Sequence, residues 1–548
     1  MATRYWVGGS GNWNAASTTN WSATSGGAGG ASAPTNADDV IFNSASSGGS
    51  YTVTLTLGNS TCKTMTVDGP ATGTVTFAGT TALVMSGTNP SIVINTPLTV
   101  SWTNTGQIQW TGSGTGTLNT NGCSMASTWS QSGGATITTT LSSDFTLTSN
   151  ATLSTGTLAL GAYRFTCAGF NNASGLTRTL NFNTGSFYIT GTGSTAYTQS
   201  TETGLTFGQT PIFNMTYNGA SALTINTGTA PTQAQTPSFN LTAGSYALTL
   251  TTGWVNNINF TGFAGSIAAA SVFNAFGNVT FSSGMTVTTT TNVLTFAATS
   301  GPKTITTNNV SITRPIVFNG SGGSWQLQDA LTMANSASRT LTMTNGTLDL
   351  NGKTLSTIGF VTAAGTKNVT FNGGTLLVFG SGATAFNNAA PTNFSTTAGA
   401  QGKGFISMTS ATAKTFVGGG SNYNATLVQA GAGALTISGN NTLSNLKNTT
   451  QPAPITFTSS SSNTFIDDFK LKGTVGSLIV ITASTAGTAA TVSHTGSNVS
   501  CDYISLKDNT ATGATPFYAG AHSTITTNVT GWSNRPPPSA NTDFLMFF

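Results

Sequence analysis

The chain has 548 residues, of which 16 are Lys or Arg and 12 are Asp or Glu, so charged side chains make up 5% of it against about 25% in an ordinary soluble domain. With 37% hydrophobic residues and a formal net charge of +4 it can bury a core, which excludes a charge-swollen disordered polymer. The few cations form no basic run, so a nucleic-acid partner is not expected.

Residues 1–48 stand apart in composition. They are rich in Gly, carry Trp6, Trp13 and Trp21, and reach the acidic pair Asp38-Asp39 just before Val40-Ile41-Phe42. No basic segment followed by an apolar stretch opens them, so the expectation is synthesis in the cytoplasm without a Sec signal. The three tryptophans are expected to plug the end of a fold, with sugar stacking as the competing role. Adjacent carboxylates in a strand face opposite sides, so Asp38 and Asp39 are expected to serve turns or a cap, and no regular series of Ca²⁺ ligands surrounds them.

From residue 49 to 462 the dominant signal is period two. In YTVTLTL, Tyr51, Val53, Leu55 and Leu57 fall on one face and Thr52, Thr54 and Thr56 on the other. β-branched Thr favours strands and tolerates water, which explains how so uncharged a chain presents a polar surface. GTLALGAYRFTCAGF (156–170) resembles GTLDLNGKTLSTIGF (346–360), and LNFNTGSFYITGTGSTAY (180–197) resembles VTFNGGTLLVFGSGATAF (369–386), at offsets of 190 and 189. GASALTI (219–225) and GAGALTI (431–437) are 212 apart, as though one extra coil had been inserted, and Leu223-Thr224-Ile225 recurs 25 residues on as Leu248-Thr249-Leu250. Strand-turn units of this length cannot bury their own apolar faces and must stack, so the fold class is all-β: a long parallel β-helix of about 16 coils, with a distinct N-terminal cap and a C-terminal β module.

Within this region a two-carboxylate glycan-cleaving site has little to draw on. Only Asp144, Glu202, Asp329 and Asp349 lie between 69 and 466, and Asp329 with Asp349 is the one pair spaced to reach neighbouring coils. GSGTGT (112–117) lacks the Lys and the helix of a phosphate loop. The four cysteines, Cys62, Cys123, Cys167 and Cys501, show no zinc or disulfide spacing and are expected to be buried thiols. No metal, cofactor or catalytic residue is expected.

Residues 463–532 concentrate the scarce charges (Asp467, Asp468, Lys470, Lys472, Asp502, Lys507 and Asp508) together with His494 and His522, which have no nucleophile signature beside them. Residues 533–548 are a Pro-rich linker and an apolar tail, Phe544, Leu545, Met546, Phe547 and Phe548, expected to make an assembly contact. Neither this tail nor SLIVI (477–481) approaches the ~18 apolar residues of a membrane span.

Both ends carry a resemblance. YWVGGSGNWNAASTTNWSATSGGAGGASAPTNADDVIF resembles a leader of β-solenoid fibre and tailspike-like proteins of tailed bacteriophages and related bacterial surface proteins. FKLKGTVGSLIVITASTAGT and CDYISLKDNTATGATPFYAGAHSTITTNVTGW resemble a module that closes many of the same proteins. The resemblance implies a virion structural protein, a fibre or spike for host-surface attachment or decoration. Its expected partners are other virion proteins, a host surface glycan or protein, and its own copies, with a homotrimer favoured. A bacterial cell-surface adhesin and a polysaccharide-degrading tailspike are the alternatives, because one scaffold serves all three.

Overall fold

The computed structural model describes residues 2–14, 18–55, 58–70, 72–95, 99–191, 195–229, 231–336, 339–496, 498–513 and 516–535. The protein is all-β, 1% helical, and forms a parallel β-solenoid of about 21 turns. It divides into two compact units, Met1–Phe273 and Asn274–Phe548.

In the first unit, from Asp39 to Asn226, each coil lays down three short strands, one in each of three sheets, and the next coil has the 3-10 turn Gln233–Gln235 in place of its first strand. Thr138–Leu141, Phe145–Leu147 and Ala151–Leu153 make one coil, and Gly156–Ala159, Arg164–Cys167 and Phe170–Asn171 stack on them in parallel. Period-two patterning sets which side faces in: Tyr51, Val53 and Leu55 are buried while Thr52 and Thr54 are partly exposed. The 25-residue recurrence is a register, with Leu223 opposite Leu248 and Ile225 opposite Leu250. Steps between partners differ from coil to coil, 19 residues from Thr138 to Thr157 and 27 from Thr64 to Ser91, because the loops between strands vary in length.

Stacking places like on like at about 4.8 Å. Phe145, Phe165, Phe187, Phe213 and Phe239 are in register on successive coils, with ring centroids 5.2, 4.7, 5.0 and 5.8 Å apart. All five are fully buried. Each contributes about 1.5–3 kcal/mol of burial, and ring pairing adds about 0.5–1.5 kcal/mol per contact.

The second unit repeats the plan. Its strands Thr340–Asp349, Thr354–Thr357 and Gly359–Thr362 correspond to Gly156–Ala159, Arg164–Cys167 and Phe170–Asn171 of the first, as the 190-residue offset requires. Gly156 (φ +72°), which begins its strand, and Gly346 (φ +92°), at the equivalent position inside Thr340–Asp349, have a left-handed backbone, and a Cβ would lie 2.3 Å from the Ile137 carbonyl oxygen and 2.6 Å from that of Gly320. The lengthened offset also has a structural counterpart. Tyr197 pairs directly with Ile225, whereas its equivalent Phe386 pairs with Phe416, which then pairs with Ile437. One additional coil, carrying Lys414–Val417, sits between.

The ladder continues past residue 463. Ile455–Phe457 pairs in parallel with Ile479–Ala483, and that strand with Ile504–Leu506, so the C-terminal module is itself built of coils. These coils and the short 19-residue steps carry the turn count beyond the 16 expected for 49–462 alone.

Candidate functional site

The N-terminal segment closes one end of the first unit. Thr3–Trp6 pairs in parallel with Asp39–Phe42 on one side and antiparallel with Trp21–Ser22 on the other, so Trp21–Ser22 covers a sheet edge that would otherwise expose backbone groups. Trp6, Trp13 and Trp21 are 0, 0 and 2% exposed. Trp6 and Trp13 meet Trp21 edge-on at 5.0 and 5.1 Å, and all three rings contact Phe42, which leads through Phe77 to Trp102 in the core. The Trp6 indole N–H donates to the Gly9 carbonyl (2.7 Å) and that of Trp21 to the Trp13 carbonyl (2.9 Å). Rings buried this deeply offer no face to a sugar.

Asp38 and Asp39 point to different surroundings. Asp38 is buried and accepts the Ala2 N–H (2.9 Å), the Thr35 N–H (2.9 Å) and the Thr35 hydroxyl (2.8 Å), tying the first strand to the turn before the third. Burial works to raise its pKa, but these hydrogen bonds outweigh it and hold the carboxyl below its ordinary value. Asp39 accepts the Thr64 hydroxyl (2.7 Å) and lies 3.5 Å from the Lys63 ammonium. A carboxyl whose folded pKa is depressed stabilises the fold above its unfolded value, near 3.9, and loses that contribution as pH falls through the lower folded value. Hydrogen-exchange protection factors, the observed rates corrected for the intrinsic rate at each pH, are therefore expected to fall around Asp38 below about pH 4. Asp38→Asn is expected to weaken this segment by about 1.5–3 kcal/mol at neutral pH and to flatten the acid response.

The carboxylates considered for catalysis serve the backbone. Asp329 accepts the N–H groups of Thr307 (2.7 Å) and Asn308 (2.5 Å), one on each oxygen. Asp349 accepts the Asn351 N–H (2.8 Å) and the Gln326 side-chain amide (3.1 Å). Asn308 and Asn351 have φ of 48° and 49°, so each carboxylate anchors a left-handed turn, and the two turns are different ones. Asp144, on the surface, accepts the Arg164 N–H (2.9 Å). Glu202 lies in the field of Arg178, with its Oε1 buried and without a hydrogen-bond partner.

What the sequence reading missed is where the cations go. Arg178, Arg314, Arg339, Lys367 and Lys414 are all buried. Arg178 is 0% exposed and its guanidinium donates to the carbonyls of Asn172, Leu176, Thr201 and Thr203 at 2.6–3.1 Å, gathering two loops at a coil corner. The Lys414 ammonium donates to Ser410 (2.9 Å), Gly431 (3.3 Å) and Gly433 (2.7 Å) carbonyls. Burial lowers the pKa of Arg178 and Lys367, and that of Lys414 to about 8. The repeat held a clue, since Arg178 and Lys367 are 189 residues apart and each begins its strand.

The remaining candidates are structural or superficial. All four cysteines are free thiols; Cys62, Cys167 and Cys501 are buried, and burial pushes half-buried Cys123 up to about 11. His494 is enclosed, its Nε2 2.9 Å from the Asp467 carbonyl, while exposed His522 stacks on Tyr503 and pairs with Asp502 at 3.0 Å. Asp467 with Lys403 and Asp468 with Lys470 are exposed ion pairs of the kind that contribute about 0–1 kcal/mol. Among the described residues no cluster of three or more His, Cys, Asp or Glu could hold a metal ion, and no helix is long and apolar enough to cross a membrane. The apolar tail, Phe544 to Phe548, lies outside the described residues.

No protein-family model matches the chain, and comparisons with curated proteins and with solved structures return no match. The parallel β-solenoid defines the class of architecture and is consistent with fibre or spike proteins.

Proposed function

We propose that the chain is a non-enzymatic structural protein of a tailed-phage virion, a β-helical fibre or spike that attaches to the host surface or decorates the particle. It is made in the host cytoplasm and assembles with other virion proteins, as a homo-oligomer with a trimer favoured. The observation that carries this reading is the division of labour along the coil. Outward strand positions present mostly Thr, Ser and Asn, with Ile212, Phe405 and Val480 as apolar exceptions, while Asp329, Asp349, Arg178 and Lys414 are committed to the protein's own turns and corners. Such a surface recognises by shape and hydrogen bonding.

Peptides of this chain are expected in purified phage particles, with antibody label on the tail or capsid surface in electron micrographs. Finding it only in the envelope of uninfected cells would instead identify a bacterial adhesin. Asp329→Asn and Asp349→Asn are expected to leave host adsorption unchanged. If wild-type protein releases reducing ends from host capsule and either substitution abolishes this with the fold intact, the chain is a polysaccharide-degrading tailspike.

A further inference from the structure

The second unit carries an open groove of about 550 Å³ that crosses four successive coils, at residues 321–324, 346–347, 366–368 and 395. Its floor is made by an irregularity in the coil. The long strand Ile316–Leu327 loses register with Thr340–Asp349 between Asn319 and Ser324, where the sequence reads NGSGGS. Gly323 and Gly346 lie in the floor, and a Cβ at Gly323 would sit 2.0 Å from the Ala298 carbonyl oxygen. A side chain is therefore excluded at Gly323, whose Cβ direction points at the Ala298 backbone, and the groove is lined there by main chain. Its walls are hydroxyls and amides: Ser324 and Thr347 are partly exposed, and the Ser395 hydroxyl donates to Asn368 Oδ1 (3.0 Å), whose amide nitrogen donates to Thr370 (3.0 Å).

We infer that this groove is a binding site for a neutral oligosaccharide, an inference that rests on the attachment reading and gives it a place on the molecule. The lining decides the ligand class by elimination. Protein partners anchor on aromatic and apolar pockets, and no aromatic or large apolar side chain lines this groove. Anionic ligands need uncommitted cations. Lys367 is the only charged residue in the lining, and it is 1% exposed with its ammonium donating to the Gly365 (2.9 Å) and Thr392 (3.1 Å) carbonyls. What is left is a surface of groups that both donate and accept, matching the hydroxyls of an uncharged sugar. The volume falls within the range of about 300–1,000 Å³ of small-ligand sites, room for a few sugar rings.

The test is a glycan array probed with the labelled full-length chain. The array carries neutral hexose and N-acetylhexosamine oligosaccharides beside uronate-, sialyl- and sulfate-bearing ones. Binding is expected on neutral glycans only. The double substitution Ser324→Trp with Thr347→Trp, which fills the groove from outward strand positions, is expected to weaken it at least about 10-fold. Thr436→Trp, on the outward face of Leu435–Ser438, should leave it unchanged. Should the double variant fail to fold, Asn368→Ala is expected to weaken binding about 10-fold. Binding confined to anionic glycans, no binding to any neutral glycan, or equal binding by the filled variant each overturns the inference. Host-cell adsorption separates the two levels: equal adsorption by wild type and filled variant removes the groove and keeps attachment, whereas no adsorption by wild type removes attachment itself.

Discussion

Replacing Phe187 by alanine is expected to cost about 3–5 kcal/mol, the range for deleting a fully buried aromatic side chain from a packed core. The reason for expecting the upper part of that range is its place in the ladder. Phe187 contacts Phe165 at 4.7 Å and Phe170 at 4.8 Å on the preceding coil and Phe213 at 5.0 Å on the following one, so one truncation opens space against rings on both adjoining coils. A coil cannot relax into the gap without breaking backbone pairs above and below. Because Phe187 and Phe213 touch, the pair of alanine substitutions should cost measurably less or more than the sum of the two. Thr166→Ala, outward on the neighbouring strand, should stay within about 0.5 kcal/mol. Urea titration gives the free energies, and hydrogen exchange should show the loss of protection centred on residues 164–215.

Substituting Arg178 by methionine is expected to destabilise the same unit by about 2–4 kcal/mol, with the cost arising from carbonyls rather than from packing. Methionine keeps the apolar stem but leaves the buried Asn172 carbonyl, where a stranded acceptor costs about 1–3 kcal/mol, and the part-buried carbonyls of Thr201 and Thr203 without their donor. Arg178→Lys should fall between, because an ammonium has three donors and none of the planar fork that here reaches two loops at once. Thermal melts of the three proteins should rank in that order. Equal melting of wild type and Arg178→Met would mean the corner is held by something other than the guanidinium.

The coil was legible because its rules are periodic. Alternation fixed which side of Tyr51–Leu55 faces inward, and the Leu223-to-Leu248 spacing is a hydrogen-bonded register. The offset of 212 between GASALTI and GAGALTI correctly implied one inserted coil, since extra coils displace the downstream pattern without altering it. The groove and the buried cations were not legible. Strand parity says which face a residue takes, but Arg178, Lys367 and Lys414 begin strands behind loops, where the destination of a long side chain depends on carbonyls supplied by the next coil, 17–25 residues away. For the same reason Asp329 and Asp349 looked pairable by spacing alone. Spacing gives the coil a residue sits on, and the turn it anchors is set by backbone geometry that no residue count expresses.

The inserted coil at Lys414–Val417 has a consequence for how the length of such a protein changes. Each coil presents to the next the same kind of surface that it receives, so a whole-coil duplication demands no new core and extends a unit by about 4.8 Å. A single-residue deletion inside a strand instead turns that strand's apolar set outward and is rejected by the coils on either side. The height of the stack is therefore quantised in whole coils, while the number of residues in a coil is free to differ through its loops.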